Sequence, residues 1–288
     1  MVYGAKLRGL TLAAGLAAMA GFVETAAAET ALERGAYLMR SVVACGNCHT
    51  PKGPKGELPG MELAGMSNLD VRAFWTTHAP NITQDKETGI GAWSDAQIIA
   101  AIREGKRPDG TIIGPPMPIG LYRNLSDRDV RAIVAYLRQV KPVKNAIPKS
   151  EYKIPLPPAY GPPVITVAEP PKSDKLAYGA YLAGPAAHCI ECHSPMSKKG
   201  PDIENQLGAG GLQFKGPWGV SVSANITPTG LGKYSDAELK AMITTGKRAN
   251  GTHLKPPMPY PYYAHMRDED LEAIIAYLRS LPAKQGLQ

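Results

Sequence analysis

The sequence of 288 residues predicts an all-α fold of two tandem helical domains joined by a proline-rich linker. Three observations support this prediction: the sequence repeats itself once, each copy contains three amphipathic helical segments, and no segment shows the apolar–polar alternation of a strand. We assign an export signal to 1–28, the first domain to 29–146, the linker to 147–173 and the second domain to 174–288.

The internal repeat is visible in short matching strings. Gly35-Ala36-Tyr37-Leu38 returns as Gly179-Ala180-Tyr181-Leu182, and Asn81-Ile82-Thr83 returns as Asn225-Ile226-Thr227, both 144 residues later. Pro115-Pro116-Met117-Pro118 returns as Pro256-Pro257-Met258-Pro259, 141 residues later. Because solenoid repeats are much shorter than this, the spacing indicates one duplicated domain.

Each copy contains three predicted helices. The first helix runs from Leu32 to Ala44 in the first copy and from Lys175 to Ala187 in the second. The middle helix opens with a capping box, Ser94-Asp95-Ala96-Gln97 or Ser235-Asp236-Ala237-Glu238, and closes at Gly105 or Gly246. The last helix is predicted by an apolar stripe formed by Val130, Ile133, Val134 and Leu137 in one copy and by Leu271, Ile274, Ile275 and Leu278 in the other.

The stretch between the copies, residues 141–174, contains nine prolines. Proline favours a stiff, extended chain without helix or ladder hydrogen bonds. A flexible tether is one interpretation, and a strap packed across both domains is the other. We favour the strap because Ile154, Leu156, Tyr160, Val164 and Ile165 give it apolar side chains to bury.

The strongest chemical signal is a C-x-x-C-H string that occurs twice, as Cys45-Gly46-Asn47-Cys48-His49 and as Cys189-Ile190-Glu191-Cys192-His193. This pattern is typical of covalent haem c attachment, in which both thiols join the haem and the histidine becomes the proximal iron ligand. A thioredoxin-like pair, a zinc site and a disulfide are the alternatives. The adjacent histidine and the duplication favour haem, and all four cysteines of the chain lie in the two motifs.

Met117 and Met258 are the candidates for the second axial iron ligand. They occupy equivalent places in the two repeats, 68 and 65 residues after the proximal histidines, and each lies between prolines that restrain the loop. Histidine is the rival ligand at either haem, and the rivals are His78, His188, His253 and His265. A His/Met ligand pair is expected to raise the reduction potential.

The N-terminus has the pattern of a cleaved signal. Lys6 and Arg8 precede an apolar run of 15 residues, 9–23, and Ala26-Ala27-Ala28 offers a cleavage site. A retained membrane anchor is the alternative, although a spanning helix needs about 20 apolar residues. The formal charge of +7 becomes +6 on cleavage, and four haem propionates offset most of that. The charge therefore does not indicate nucleic-acid binding, while an acidic redox partner is compatible with it.

The two C-x-x-C-H motifs with Met117 and Met258 resemble tandem class I cytochrome c domains over nearly all of the mature chain. Three further stretches, Asn81 to Thr83, Thr88 to Asp95 and Gly105 to Pro118, are similar to the cytochrome c subunits of bacterial periplasmic dehydrogenases of the alcohol and gluconate type. The resemblance implies an electron carrier, not an enzyme, that takes electrons from a periplasmic dehydrogenase towards another cytochrome or a terminal oxidase. Those subunits have three haem motifs, and this sequence has two.

A dihaem enzyme, peroxidase-like or thiosulfate-oxidising, is the alternative function. A peroxidase needs an iron with an axial position that can open, whereas each repeat here offers a methionine for that position. A thiosulfate-oxidising enzyme that resembles the known dihaem type would need a cysteine on its active iron. All four cysteines here lie in the haem motifs, so none remains for that role. A haem sensor is a third possibility, but no signalling domain accompanies the repeats.

Overall fold

The computed structural model describes residues 28–197 and 200–286, together with residues 1, 2 and 4. The predicted export signal therefore lies almost wholly outside the described residues. Within the described part, no helix combines the length and the apolar character that crossing a membrane requires.

Helices form the frame of each repeat. The first repeat contains α1 (Ala31–Tyr37), α2 (Gly46–His49), α3 (Asp95–Glu104), α4 (Ile119–Tyr122) and α5 (Asp127–Leu137). The second contains α6 (Lys175–Tyr181), α7 (Cys189–Cys192), α8 (Ile203–Gln206), α9 (Pro228–Leu231), α10 (Asp236–Thr245), α11 (Tyr260–Tyr263) and α12 (Asp268–Ser280). The π-helical turns Leu38–Val42 and Leu182–Ala186 extend α1 and α6 towards the two C-x-x-C-H motifs.

The predicted boundaries of the middle helices are confirmed. The side chain of Ser94 accepts a hydrogen bond from the backbone N–H of Gln97, and the side-chain oxygen of Gln97 accepts one from the backbone N–H of Ser94. Ser235 forms the same box with Glu238. Both helices end at a glycine in the left-handed conformation, with φ of 65° at Gly105 and 68° at Gly246. Glycine adopts this conformation without a steric penalty, so it terminates the helix cleanly.

The all-α prediction is wrong, because the described residues include four small antiparallel sheets and the fold is mixed α and β. The strands are β1 (Lys52–Gly53), β2 (Gly56–Glu57), β3 (Met66–Arg72), β4 (Trp75–Ala79), β5 (Glu151–Tyr152), β6 (Met196–Ser197), β7 (Gly200–Pro201), β8 (Gln213–Gly216) and β9 (Gly219–Val222). They pair as β1–β2, β3–β4–β5, β6–β7 and β8–β9.

Most of these strands escaped prediction because they are short or bury no regular face. Along β3 the exposed and half-buried residues do not alternate, and a bulge lies between Met66 and Asp70. The register of β4 is set from both sides, since Trp75 pairs with Arg72 of β3 and with Tyr152 of β5. Strand β5 comes from the linker, so its pairing is long-range and leaves no local pattern.

The first and last helices of each repeat cross at a glycine. A Cβ atom at Gly35 would collide with the carbonyl group of Ala132 and the Cβ of Tyr136. The second repeat has the same crossing, where Gly179 meets Ala273 and Tyr277. The absence of a side chain therefore lets the two backbones touch, and this contact brings the start and end of each repeat together.

The linker lies along the first repeat and reaches the second. Tyr160 donates its hydroxyl hydrogen bond to the carbonyl of Ile113 at 2.8 Å, and the backbone N–H of Asp127 donates to the carbonyl of Val167 at 2.9 Å. At its far end Lys172 forms an ion pair with Glu269 of α12 at 2.5 Å. These contacts join the linker to both repeats, while its exact boundaries stay a prediction.

Replacing Gly35 with alanine should lower the free energy of unfolding by about 1–3 kcal/mol, because the new methyl group overpacks the crossing of α1 and α5. Denaturant unfolding of the holoprotein measures this loss. Gly120→Ala is the matched control, since a Cβ at this helical position meets no atom within 4 Å. Equal stability of the two variants would contradict the crossing argument.

Candidate haem sites

Each C-x-x-C-H motif is wound into a single helical turn. The backbone N–H of His49 donates to the carbonyl of Cys45 at 3.0 Å, and His193 donates likewise to Cys189 at 3.0 Å. One turn of helix places residues four apart on the same face, so the first cysteine and the histidine point the same way. The motif thus presents its thiols and its imidazole to one side, as a covalently attached haem requires.

The four cysteines are free, half-buried thiols. Burial raises the pKa of Cys45, Cys189 and Cys192 to about 12 and raises that of Cys48 as well. Redox-active C-x-x-C pairs have the opposite property, a lowered thiol pKa that supplies a nucleophilic thiolate. The environment therefore disfavours the thioredoxin-like alternative and suits thioether-linked sulfur.

The histidines of both C-x-x-C-H motifs are oriented by a backbone carbonyl. The Nδ1 atom of His49 lies 2.8 Å from the carbonyl oxygen of Pro80, and that of His193 lies 2.7 Å from the carbonyl oxygen of Ala224. Because a carbonyl only accepts, each Nδ1 carries the proton and each Nε2 keeps its lone pair. Burial also lowers the pKa of both imidazoles, which favours the neutral form that binds metal.

The repeated asparagine after each carbonyl fixes its position. The Oδ1 of Asn81 accepts from the backbone N–H of Thr83 at 2.9 Å, and its Nδ2 donates to the carbonyl of Val143 at 2.7 Å. Asn225 forms the equivalent bonds with Thr227, at 2.8 Å, and with Lys284, at 2.8 Å. The sequence shows the Asn-Ile-Thr repeat, but it does not reveal that the asparagine holds the carbonyl that orients the histidine. The only hint in the sequence is that this repeat shares the 144-residue offset of the haem motifs.

The loops that carry Met117 and Met258 have matching hydrogen bonds. The guanidinium of Arg107 donates to the carbonyl of Ile112 at 3.0 Å, and that of Arg248 donates to the carbonyl of His253 at 3.1 Å. Both loops contain a cis proline peptide just before the methionine, Pro115–Pro116 and Pro256–Pro257. The two methionines are half-buried and pack against the hydrophobic core.

In the second repeat, a cavity of about 300 Å³ brings three predicted site residues together: Cys189, His193 and Met258. Its walls are mainly apolar, and Arg248 contributes a cationic group. Met242 and Met266 also contact the cavity, although neither has a methionine at the equivalent place in the first repeat. In the first repeat, Cys45 and Met117 pack against the same core as the buried Leu38 and Tyr122.

The four rival histidines lie in different parts of the fold, and His265 lines a second cavity beside Gly46 and Asn47 of the first motif. His78 is in strand β4, where its Nδ1 accepts from the backbone of Asn68 at 3.0 Å. His253 and His265 are exposed, and the ring of His188 packs edge-on against Tyr122 with centroids 5.9 Å apart. Among the described residues, none of the four lines the cavity around His193.

The residues of both repeats fit a covalently bound haem. Each repeat supplies two half-buried thiols, a neutral imidazole with a free Nε2, and a methionine loop held by an arginine. When bound, the haem supplies an iron that changes its charge by one electron. The chain's own groups hold it, keep water from it and set its potential through the ligands that they offer.

Comparison with known proteins agrees with this site. The cytochrome c family matches the chain over residues 32–141 and 176–282, one match for each repeat. The chain therefore belongs to the cytochrome c family. With one attachment motif in each matched region, it carries two covalently bound haem c groups and is a protein of electron transport.

Several characterised relatives are similar over most of the chain. The fructose dehydrogenase cytochrome subunit of Gluconobacter japonicus is 31% identical over 88% of this chain. The cytochrome c subunit of the quinone alcohol dehydrogenase of Gluconobacter oxydans is 30% identical over 96% of it. A dihaem cytochrome c of Cereibacter sphaeroides is 28% identical, and the alignment covers 83% of this chain and 82% of that protein.

The chain spans only part of the two dehydrogenase subunits. The alignments cover 53% of the fructose dehydrogenase subunit and 61% of the alcohol dehydrogenase subunit. These relatives therefore have additional parts, whereas the dihaem cytochrome of Cereibacter sphaeroides matches in length as well.

Replacing Cys189 and Cys192 together with alanine should give a protein with one covalent haem, because the first motif does not depend on the second for its thiols. Intact mass and the haem content of the denatured protein measure the number. The mirror variant C45A/C48A should give the same number. A protein that still holds two covalent haems in either variant would contradict the assignment of the thiols.

Proposed function

We propose that this chain is a periplasmic electron carrier that accepts electrons from a partner dehydrogenase and delivers them to the respiratory chain. Another cytochrome or a terminal oxidase is the proposed acceptor, and an N-terminal signal cleaved after Ala28 is the proposed route of export. Within each haem site, His49 and His193 serve as proximal ligands, and Met117 and Met258 serve as the opposite ligands.

One observation carries this proposal: both repeats contain the same braced methionine loop and the same carbonyl-held imidazole. An electron carrier needs an iron whose ligands stay in place in both oxidation states, so that little rearrangement accompanies the transfer. Rigid loops held by Arg107 and Arg248 and by their backbone bonds meet that need. A substrate-converting haem instead needs a free axial position.

The partner is inferred from what the relatives share. One relative is the cytochrome subunit of a fructose dehydrogenase and another is that of a quinone alcohol dehydrogenase. Their sugars and alcohols differ, so the common property is that a dehydrogenase supplies the electrons. We therefore propose a dehydrogenase as donor and assign no substrate to it.

Met117→His and Met258→His should each lower the reduction potential of one haem, since imidazole replaces a thioether that favours the reduced iron. A redox titration followed by absorbance measures both potentials. Met266→Leu is the matched control, because Met266 lines the cavity of the second repeat but aligns with Leu125 in the first. An unchanged potential in either histidine variant removes that methionine from the ligand set.

The isolated protein should be reduced by a quinone-type dehydrogenase and should not turn over substrates by itself. The measurement is absorbance of the reduced haems after addition of a purified fructose or alcohol dehydrogenase with its substrate. Separate assays of the protein alone use peroxide, thiosulfate and simple alcohols. Sustained turnover in any of these assays would replace the carrier with the dihaem enzyme.

A further inference from the structure

The two repeats exchange a pair of hydrogen bonds, each from a tyrosine of one repeat to a buried carboxylate of the other. Tyr37 of the first repeat donates its hydroxyl to Asp270 of the second at 2.5 Å. Tyr181 of the second repeat donates its hydroxyl to Asp129 of the first at 2.7 Å. The tyrosines are equivalent at the 144-residue offset and the aspartates at the 141-residue offset, so the contact is reciprocal.

The backbone completes each crossing in the same way. The N–H of Arg267 donates to the hydroxyl oxygen of Tyr37 at 3.1 Å, and the N–H of Ser126 donates to that of Tyr181 at 3.2 Å. Ser126 and Arg267 are again equivalent positions, each at the N-terminus of its repeat's last helix. Each tyrosine therefore both donates to and accepts from the last helix of the other repeat.

Both carboxylates are fully buried and depend on these donors. Asp129 also accepts two bonds from Arg34, each 2.8 Å long, and Asp270 accepts one from Tyr178 at 3.0 Å. Burial and the neighbouring carboxylate raise the pKa of Tyr37 and of Tyr181, so both hydroxyls keep the proton that they donate. A buried carboxylate that loses a donor is costly, which makes the crossing strong.

The haem attachment loops lie in the same interface. A Cβ atom at Gly46, inside the first C-x-x-C-H motif, would collide with the hydroxyl of Tyr262 in α11. That hydroxyl donates to Glu57 of the first repeat. On the other side, His188, which precedes the second motif, packs on Tyr122 of α4. Each attachment loop thus touches a short helix of the opposite repeat.

We infer that Tyr37 and Tyr181 are positioning residues for electron exchange between the two haems. Their crossed hydrogen bonds hold the two repeats at one separation. The haem attachment loops lie in the same interface, so the distance between them is held as well. The inference rests on the proposed role in electron transfer. Because the rate of electron tunnelling falls exponentially with distance, a clamp that excludes separated arrangements keeps the exchange fast.

Removing one crossing hydroxyl should increase the population of separated repeats about tenfold, as expected for the loss of one hydrogen bond to a buried carboxylate. The double variant Y37F/Y181F should therefore show slower exchange between the haems than either single variant. Two-dimensional exchange NMR of the half-reduced holoprotein measures this rate from the haem methyl signals. Dilution distinguishes exchange within one molecule from exchange between molecules.

Tyr136→Phe is the matched control, because the hydroxyl of Tyr136 donates to a carboxylate of its own repeat, that of Glu62, and takes no part in the crossed bonds. Its exchange rate should stay at the wild-type value. Hydrogen–deuterium exchange gives a second readout: the first turns of α5 and α12 should lose protection in Y37F/Y181F and keep it in Y136F. The absorption spectrum of each haem should be unchanged in all variants.

A wild-type exchange rate in Y37F/Y181F, or an equal slowing in Y136F, would overturn the inference. If the double variant does not yield holoprotein, the single variants decide, since each should slow the exchange in part and a wild-type rate in either rejects that residue. The half-reduced protein is prepared with a chemical reductant. A failure of the dehydrogenase to act as donor would therefore leave this result intact.

Discussion

The hydrogen bond from the imidazole of each C-x-x-C-H motif to a backbone carbonyl is the constraint on which each haem site depends. It fixes the tautomer of His49 and of His193 and directs Nε2 into the site. The carbonyl in turn is held by an asparagine that binds the chain leaving the last helix. A histidine near the start of each repeat is therefore oriented by residues from its middle and its end, so the site needs the whole repeat.

Duplication preserved the site and changed its surroundings. The methionine loops, cis prolines, capping boxes and helix crossings match between the repeats. The sheets differ between the repeats. The β3–β4 hairpin of the first repeat pairs with β5 from the linker, whereas among the described residues β9 pairs with β8 alone. The buried carboxylates also differ, since Asp129 is paired with Arg34 and Asp270 with Tyr178. Parts that hold the haem are thus more alike than the parts that meet neighbours.

The interface between the repeats reuses groups that each repeat already contains. Tyr37 and Tyr181 lie at the ends of the first helices, and the aspartates lie in the first turns of the last helices. The glycine crossing within each repeat brings these two ends together. An intramolecular contact of two copies then resembles a symmetric dimer interface, in which one pair of partners occurs twice.

The sequence by itself determined the covalent chemistry, the duplication, the capped middle helices and the candidate ligands, because these depend on residue type at fixed local spacing. The tertiary structure decided the rest. The strands of the sheets have no alternating pattern, and β5 pairs with a segment far along the chain, so the all-α prediction was wrong. The sequence also did not predict that the carbonyls of Pro80 and Ala224 orient the histidines, or that tyrosine–aspartate hydrogen bonds cross between the repeats. A backbone carbonyl has no residue-specific signal, and a contact between repeats exists only once both are folded.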